Sequence, residues 1–255
     1  MNTSNQNHVL LVVPCFNEAN RLDIGAWLIT VKSLSQVSWL FVDDGSSDRT
    51  FELLSQLALS ENVGIHRLEK NSGKAEAIRQ GMLNGLTDKR VNIVGFIDAD
   101  RAFSDRDIEG MISFLEQNMS YNAVISSRVA LLGREIIRTY HRHFLGRLLV
   151  TFIAFGFAAA PYDCQSGFKL FRVGLPLEKA LQTSFSTRWF FDLELLIRIF
   201  DNTKMQYKIW EYPLMSWAEI PGSKINSRQA IRIVKEAVIV RNKVRSHIKR
   251  SARWT

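Results

Sequence analysis

At 255 residues, 46% apolar and 23% charged, the chain has the make-up of a soluble globular protein: one large α/β domain, or two joined halves. No run reaches the roughly eighteen apolar residues a membrane-spanning helix needs. Met1 to His8 is polar and reads as no signal peptide, and the two cysteines, Cys15 and Cys164, make no disulfide framework and suggest a reducing, cytoplasmic compartment.

The net charge of +8 is unevenly placed. Residues 224–255 hold ten Lys/Arg and one acid, Glu236, so this segment supplies +9 and the rest of the chain −1. Such a tail binds nucleic acid, binds anionic lipid, or is a solvated face. Only Trp254 accompanies its cations, and nucleic-acid binding would want several stacking aromatics.

In chain order, 9–13, 39–42, 63–68, 93–97 and 123–126 read as strands, most of them apolar throughout, as strands buried on both faces are. Between them 50–59 and 75–86 have helical spacing. That alternation predicts an α/β fold with a mostly parallel, doubly wound sheet and a ligand beyond the carboxyl ends of the strands. Further on, 133–147 is rich in cations and 148–162 carries no charge. The stretch 187–200 is helical, and 228–247 is a long basic amphipathic helix. With no repeat and no low-complexity linker, we expect a single domain.

Four strand ends carry polar residues: Pro14 to Glu18, Asp43 to Asp48, Asp98-Ala99-Asp100, and Ser126 to Arg128. Asp48 suits the first turn of a helix. The Asp98-x-Asp100 pair follows an apolar strand directly, so both carboxylates can reach one hard divalent cation, Mg or Mn, that also holds a diphosphate. Lys74 opens a helical run, where the dipole opposes a cation unless a phosphate or nucleobase offsets the cost. Gly73, Ala77 and Gly81 recur every fourth residue, as a face for close packing on the sheet.

The runs VVPCFNEANRL, FVDDGSSDRT, NSGKAEAIRQGM and FIDAD, in that order, resemble the family 2 inverting glycosyltransferases. SSR, DCQSGFKLF, RWFFDLELL and WAEIPGSK extend the likeness to the dolichyl-phosphate glucosyltransferase and mannosyltransferase branch. The resemblance implies a GT-A type fold. Pro14, Glu18 and Asp43 would line the nucleoside pocket, with Asp43 on the base. Asp98 would contact ribose or metal, Asp100 would ligate the metal, Lys74 would lie near base or phosphates, and Arg128 near an acceptor phosphate.

The second half adds its own signals. Arg134, Arg138 and Arg142 are spaced to line one side of a helix, beside an uncharged run suited to the membrane interface. Cations beside an apolar surface are what a lipid phosphate requires, with Arg138 and Arg142 as candidate contacts to the acceptor phosphate. His141 and His143 sit among these cations. Asp163 is a candidate base, although a phosphate acceptor, mostly ionised at neutral pH, needs none. It could instead position the acceptor or Lys169, itself a phosphate contact or an ion-pair partner. Asp192 lies on an apolar helical stripe and is the site candidate. Glu194 precedes Arg198 by four, the spacing of a surface pair. Trp189 stacks on a sugar or fills core.

These readings point to transfer of a hexose, glucose from UDP-glucose in the first place, to a polyprenyl phosphate. The enzyme would be peripheral at the inner face of an anionic membrane. Residues 8–127 would form the nucleotide-sugar half, 128–223 the acceptor half and 224–255 a basic helical segment. The rivals are a soluble glycan or other hydroxyl acceptor, GDP-mannose as donor, a pyrophosphorylase, and a non-catalytic lipid- or nucleic-acid-binding module.

Overall fold

The structure, a computed structural model, describes residues 8–137, 140–203, 206–219 and 227–252, with side chains 140–146 and 227–230 left aside. Its elements in order are β1 (His8–Cys15), α1 (Ile24–Ser33), β2 (Val37–Asp43), α2 (Thr50–Leu57), β3 (Val63–Arg67), α3 (Lys74–Gly85), β4 (Val91–Ile97), α4 (Asp105–Gln117) and β5 (Ala123–Ser127). Then come β6 (Glu135–Ile137), α5 (Tyr140–Ala154), β7 (Phe168–Arg172), α6 (Leu175–Leu181), α7 (Phe191–Thr203), β8 (Ile209–Pro213), β9 (Ser216–Ala218) and α8 (Ser227–Ser251).

Seven strands form the central sheet in the order β3-β2-β1-β4-β7-β5-β8, and β6 pairs with β9 beside it. β1, β2, β3 and β4 run parallel, as do β5 and β8. β7 runs antiparallel between β4 and β5. The sheet is therefore mostly parallel, as the alternation of strands and helices implies. The intrusion of β7 has a functional result. Phe168, its first residue, pairs with Ile97, the last of β4, so the loop 163–167 arrives at the carboxyl edge of the parallel strands.

Both faces of the sheet are covered. Val12, Val42 and Phe96 join a core with α3, α6, α7 and α8, while Leu11, Phe41 and Ile97 join another with Trp27 of α1, Leu54 of α2 and Ile108 of α4. This two-sided burial is why the strands read as continuous apolar runs. α3 lies close because Gly81 has no side chain: a Cβ there would come 2.5 Å from Val12 Cγ1 and 2.8 Å from Val42 Cγ2. Ala77 is buried on the same helix. Gly73 belongs elsewhere, at the N-cap with φ 94°, a conformation glycine adopts freely.

Three sequence expectations change in the second half. The helix expected over 187–200 starts only at Phe191, leaving 186–190 as a loop. The row of Arg134, Arg138 and Arg142 is not one helical side, since Arg134 precedes strand β6 and α5 begins at Tyr140. Arg138 and the side chains of Arg142, His141 and His143 lie outside the described residues. The uncharged run is not one interfacial helix either. α5 ends at Ala154, Gly156 turns the chain with φ 83°, and Val150, Ile153 and Phe157 are buried while Leu148, Phe152 and Phe155 are exposed.

Candidate active site

The carboxyl ends of β1, β2, β4 and β5 meet along one edge, joined by the loop before β7 and the 186–190 loop. At the β1 and β2 ends a cleft of about 300 Å³ is lined by Pro14, Glu18, Asp44, Asn71, Gly73 and Lys74, among others. Its far wall is fixed by Asp44, whose carboxylate accepts from Ser72 N and Gly73 N, both at 2.7 Å, and from Asn71 Nδ2 at 3.1 Å. Burial raises the Asp44 carboxyl above its ordinary value, against these hydrogen bonds and the charge of Arg188. Asp48 ties the loop after β1 to the start of α2, accepting from Ala19 N and Thr50 N.

Asp43, expected on the base, is not open to a ligand in this conformation. It is fully buried, accepts from Ser46 N at 3.0 Å and lies 3.2 Å from Arg67 Nε. In a parallel strand successive side chains alternate, and it is Asp44 that lines the cleft. Pro14 and Glu18 do line it, with Glu18 also held by Arg21 at 2.6 Å.

At the edge of the cleft, Lys74 Nζ lies 2.5 Å from Asp98 Oδ1. Partial burial opposes the ammonium charge, but Asp98, with Asp192 and Asp100 behind it, outweighs this and raises the lysine pKa. Burial pushes the Asp100 carboxyl upward, and the charge of Asp98 pushes it further. A carboxylate whose ionisation a neighbouring carboxylate disfavours suits a divalent cation. Among the described residues no group of three metal-ligating side chains forms. A cation on Asp98 and Asp100 would complete its shell with donor phosphate oxygens and water, as Mg²⁺ and Mn²⁺ do. The residues present fit such an ion. Gly167 makes room for Asp98, because a Cβ there would meet Asp98 Oδ2 at 2.2 Å. Arg101, next after the pair, takes φ 60° and turns away, 3.1 Å from Asp105.

Arg128, just past β5, forks onto Asp163: Nε to Oδ2 and Nη2 to Oδ1, both 2.7 Å, with its own N–H at 2.9 Å from Oδ2. Lys169 is fully buried in β7, donating at 2.5 Å to Ser166 O and Asp192 Oδ1. Burial raises the Asp192 carboxyl despite that lysine. Of the two roles open to Lys169, the structure shows the ion pair, and its ammonium is closed to a phosphate. Asp163 holds Arg128 and does not hold Lys169. Asp192 is buried beside the site, as its apolar stripe implied.

Glu194 overturns its surface assignment. It has no exposure and accepts from Ser186 N, Thr187 N and Thr187 Oγ1. It also pairs with Arg198 at 2.8 Å and with Lys243 of α8 at 3.2 Å. An i,i+4 pair looks alike in sequence whether buried or solvated; the neighbouring loop and α8 decide. Trp189 is 42% exposed, so it does not fill core.

A family model described as glycosyl transferase family 2 matches residues 10–175. The chain belongs to this family. A dolichyl-phosphate beta-glucosyltransferase of Dictyostelium discoideum is 28% identical, covering 92% of this chain and 74% of its own length. One from Saccharomyces cerevisiae is 29% identical over 91% and 73%, and one from Trichomonas vaginalis 30% over 91% and 72%. These similarities place the family 2 enzyme in that branch and make it a glycosyltransferase. Among solved structures, glucosyl-3-phosphoglycerate synthase of Mycobacterium tuberculosis, in complex with UDP, superposes with TM-score 0.65 at 16% identity, covering 92% of this chain and 80% of that one. The fold of this family 2 enzyme is therefore GT-A.

Proposed function

We propose that the chain transfers a glucosyl residue from UDP-glucose to the phosphate of a polyprenyl phosphate, with inversion at the anomeric carbon. What supports this most is the similarity to dolichyl-phosphate beta-glucosyltransferases across nine-tenths of the chain. The carboxyl-edge site supplies the means. The acceptor phosphate oxygen forms the new bond to the anomeric carbon. The bond to the diphosphate breaks, and its electron pair leaves with the nucleotide. A phosphate monoester is mostly ionised at neutral pH, so no side chain has to take its proton.

The cleft of Pro14, Glu18 and Asp44 takes the nucleoside, and Lys74 lies beside the diphosphate. Asp98 and Asp100 hold a divalent cation, which when bound neutralises charge on the departing diphosphate; solved neighbours of this fold were crystallised with Mn²⁺ and UDP or GDP-Man. Asp163 presents Arg128 to the acceptor phosphate. Asp192 pairs with Lys169 beside the site. Residues 8–127 serve the donor and 128–223 the acceptor. The basic 224–255 segment serves an anionic membrane at its inner face.

The donor is tested by measuring nucleotide release from UDP-glucose, UDP-galactose and GDP-mannose with polyprenyl phosphate present. UDP-glucose should lead by at least about tenfold, and excess chelator should stop turnover until Mg²⁺ or Mn²⁺ is restored. Preference for GDP-mannose, or full turnover in chelator, would overturn the donor or the metal respectively.

A further inference from the structure

The loop 186–190 is held by two buried carboxylates. Glu194 takes its first half, Ser186 and Thr187. The second half is taken by Glu236, a residue of α8, whose Oε2 accepts from Arg188 N at 2.9 Å and Trp189 N at 2.7 Å. Both N–H groups thus converge on one oxygen of a carboxylate that is almost fully buried. What the loop carries lies at the site. The Arg188 side chain packs against Gly73, where an added Cβ would lie 3.3 Å from Arg188 Cδ and Nε. Its charge acts on Asp44. On the other side, Trp189 O accepts from Gln165 Nε2 at 3.2 Å, in the loop that follows Asp163.

We infer that Glu236 is a positioning residue, which through the Arg188 and Trp189 amides fixes the Arg188 guanidinium at the mouth of the nucleotide cleft. The inference rests on reading that cleft as the donor site. It makes the C-terminal helix part of the donor-binding machinery, in addition to any lipid contact on its outer face. Glu236 is the single acid in a strongly basic segment. A solvated basic helix has no need of an acid turned inward, and a carboxylate as buried as this one needs the two N–H donors that it meets.

The test is UDP binding, by calorimetry on the full chain, for wild type, Glu236→Ala, Glu236→Asp, Glu236→Gln, Arg188→Ala and Glu236→Ala/Arg188→Ala. Amide hydrogen exchange at Arg188 and Trp189 is followed alongside. Glu236→Ala and the shortened Glu236→Asp should each weaken UDP binding about tenfold, the scale of one lost charge-assisted contact. Both should deprotect the two amides. Glu236→Gln, whose amide oxygen can accept the same bonds, should stay within about threefold. The double variant should be no weaker than Arg188→Ala, because Glu236 acts through Arg188. Unchanged UDP affinity in Glu236→Asp with the amides deprotected would overturn the inference and leave the donor reading standing. Additive losses in the double variant would overturn it too. A wild type that binds no UDP would sink the donor reading itself.

Discussion

Arg128 and Asp163 satisfy each other: two guanidinium bonds of 2.7 Å and the Arg128 amide all end on the one carboxylate. A carboxylate so placed holds the guanidinium on both of its oxygens. Asp163→Asn should therefore act on acceptor binding, raising the KM for polyprenyl phosphate about tenfold or more as Arg128 loses its hold. The rise of rate with pH through about 6, which belongs to the acceptor phosphate, should persist in the variant. Loss of that limb, with kcat down by about a hundredfold or more and KM unmoved, would restore Asp163 as the base.

Glu194 and Arg198 make a buried pair joined by three loop donors and Lys243. Replacing the carboxylate leaves two cations without their partner. Glu194→Gln should cost at least about 2 kcal/mol in urea unfolding, well above the roughly 0.5 kcal/mol of an exposed helix pair. A loss below that smaller figure would return Glu194 to the surface.

Acid should free α8 from α7. Burial alone would raise the carboxyls of Glu194 and Asp201, but their partners outweigh it and hold both below their ordinary values. For Glu194 these are the Ser186 amide, Arg198 and Lys243; for Asp201 they are His247 and Arg250. Depressed folded-state values mean the stabilisation is complete above the unfolded values, about 4.3 and 3.9. It is lost as pH falls through the lower folded ones. Amide exchange along α8 should therefore stay slow down to about pH 4 and accelerate below it. Loss of protection already above pH 5, or none by pH 2, would contradict these pairings.

α5 and α8 present one outer face. Arg241 of α8 donates to the Ile153 and Phe155 carbonyls and lies 5.8 and 5.9 Å from the Phe152 and Phe155 ring centroids. Ile231, Val234 and Val238 continue that side of α8 and are exposed. Apolar side chains flanked by Lys235, Arg241 and Arg245 fit an anionic bilayer, where each cation contributes about 1 kcal/mol. Co-sedimentation with phosphatidylserine vesicles should weaken with salt. It should fall at least about tenfold in Phe152→Ser/Phe155→Ser, each ring being worth about 2 kcal/mol when buried. Binding indifferent to both changes would favour a soluble acceptor.

The parallel strands and the site edge were legible because a sheet buried on both faces writes itself as apolar runs. The polar residues that end those runs can only lie at the carboxyl edge. β7 was not legible, since FKLFR has no local mark of antiparallel pairing; its place is set by β4 and β5, dozens of residues away. Asp43 and Asp44 are adjacent and alike, and only the strand's end decides which one reaches the cleft. Arg188 stood next to Trp189, already singled out, and would have been found by asking what holds an arginine in a loop before a helix. Glu236 carried a weaker signal, the lone acid among ten cations, whose meaning depends on the far loop it caps.

The central claim is tested most directly by incubating the chain with UDP-glucose labelled at the anomeric carbon and polyprenyl phosphate, with polyprenol as the parallel acceptor, and determining the lipid product's linkage by NMR. The account predicts label in the lipid fraction with the phosphate only, as a β-linked glucosyl phosphodiester formed from the α-linked donor. It also predicts a loss of at least about a hundredfold in Asp100→Ala. An α-linked product, label transferred equally to polyprenol, or no lipid product alongside rapid transfer to a soluble acceptor would contradict it.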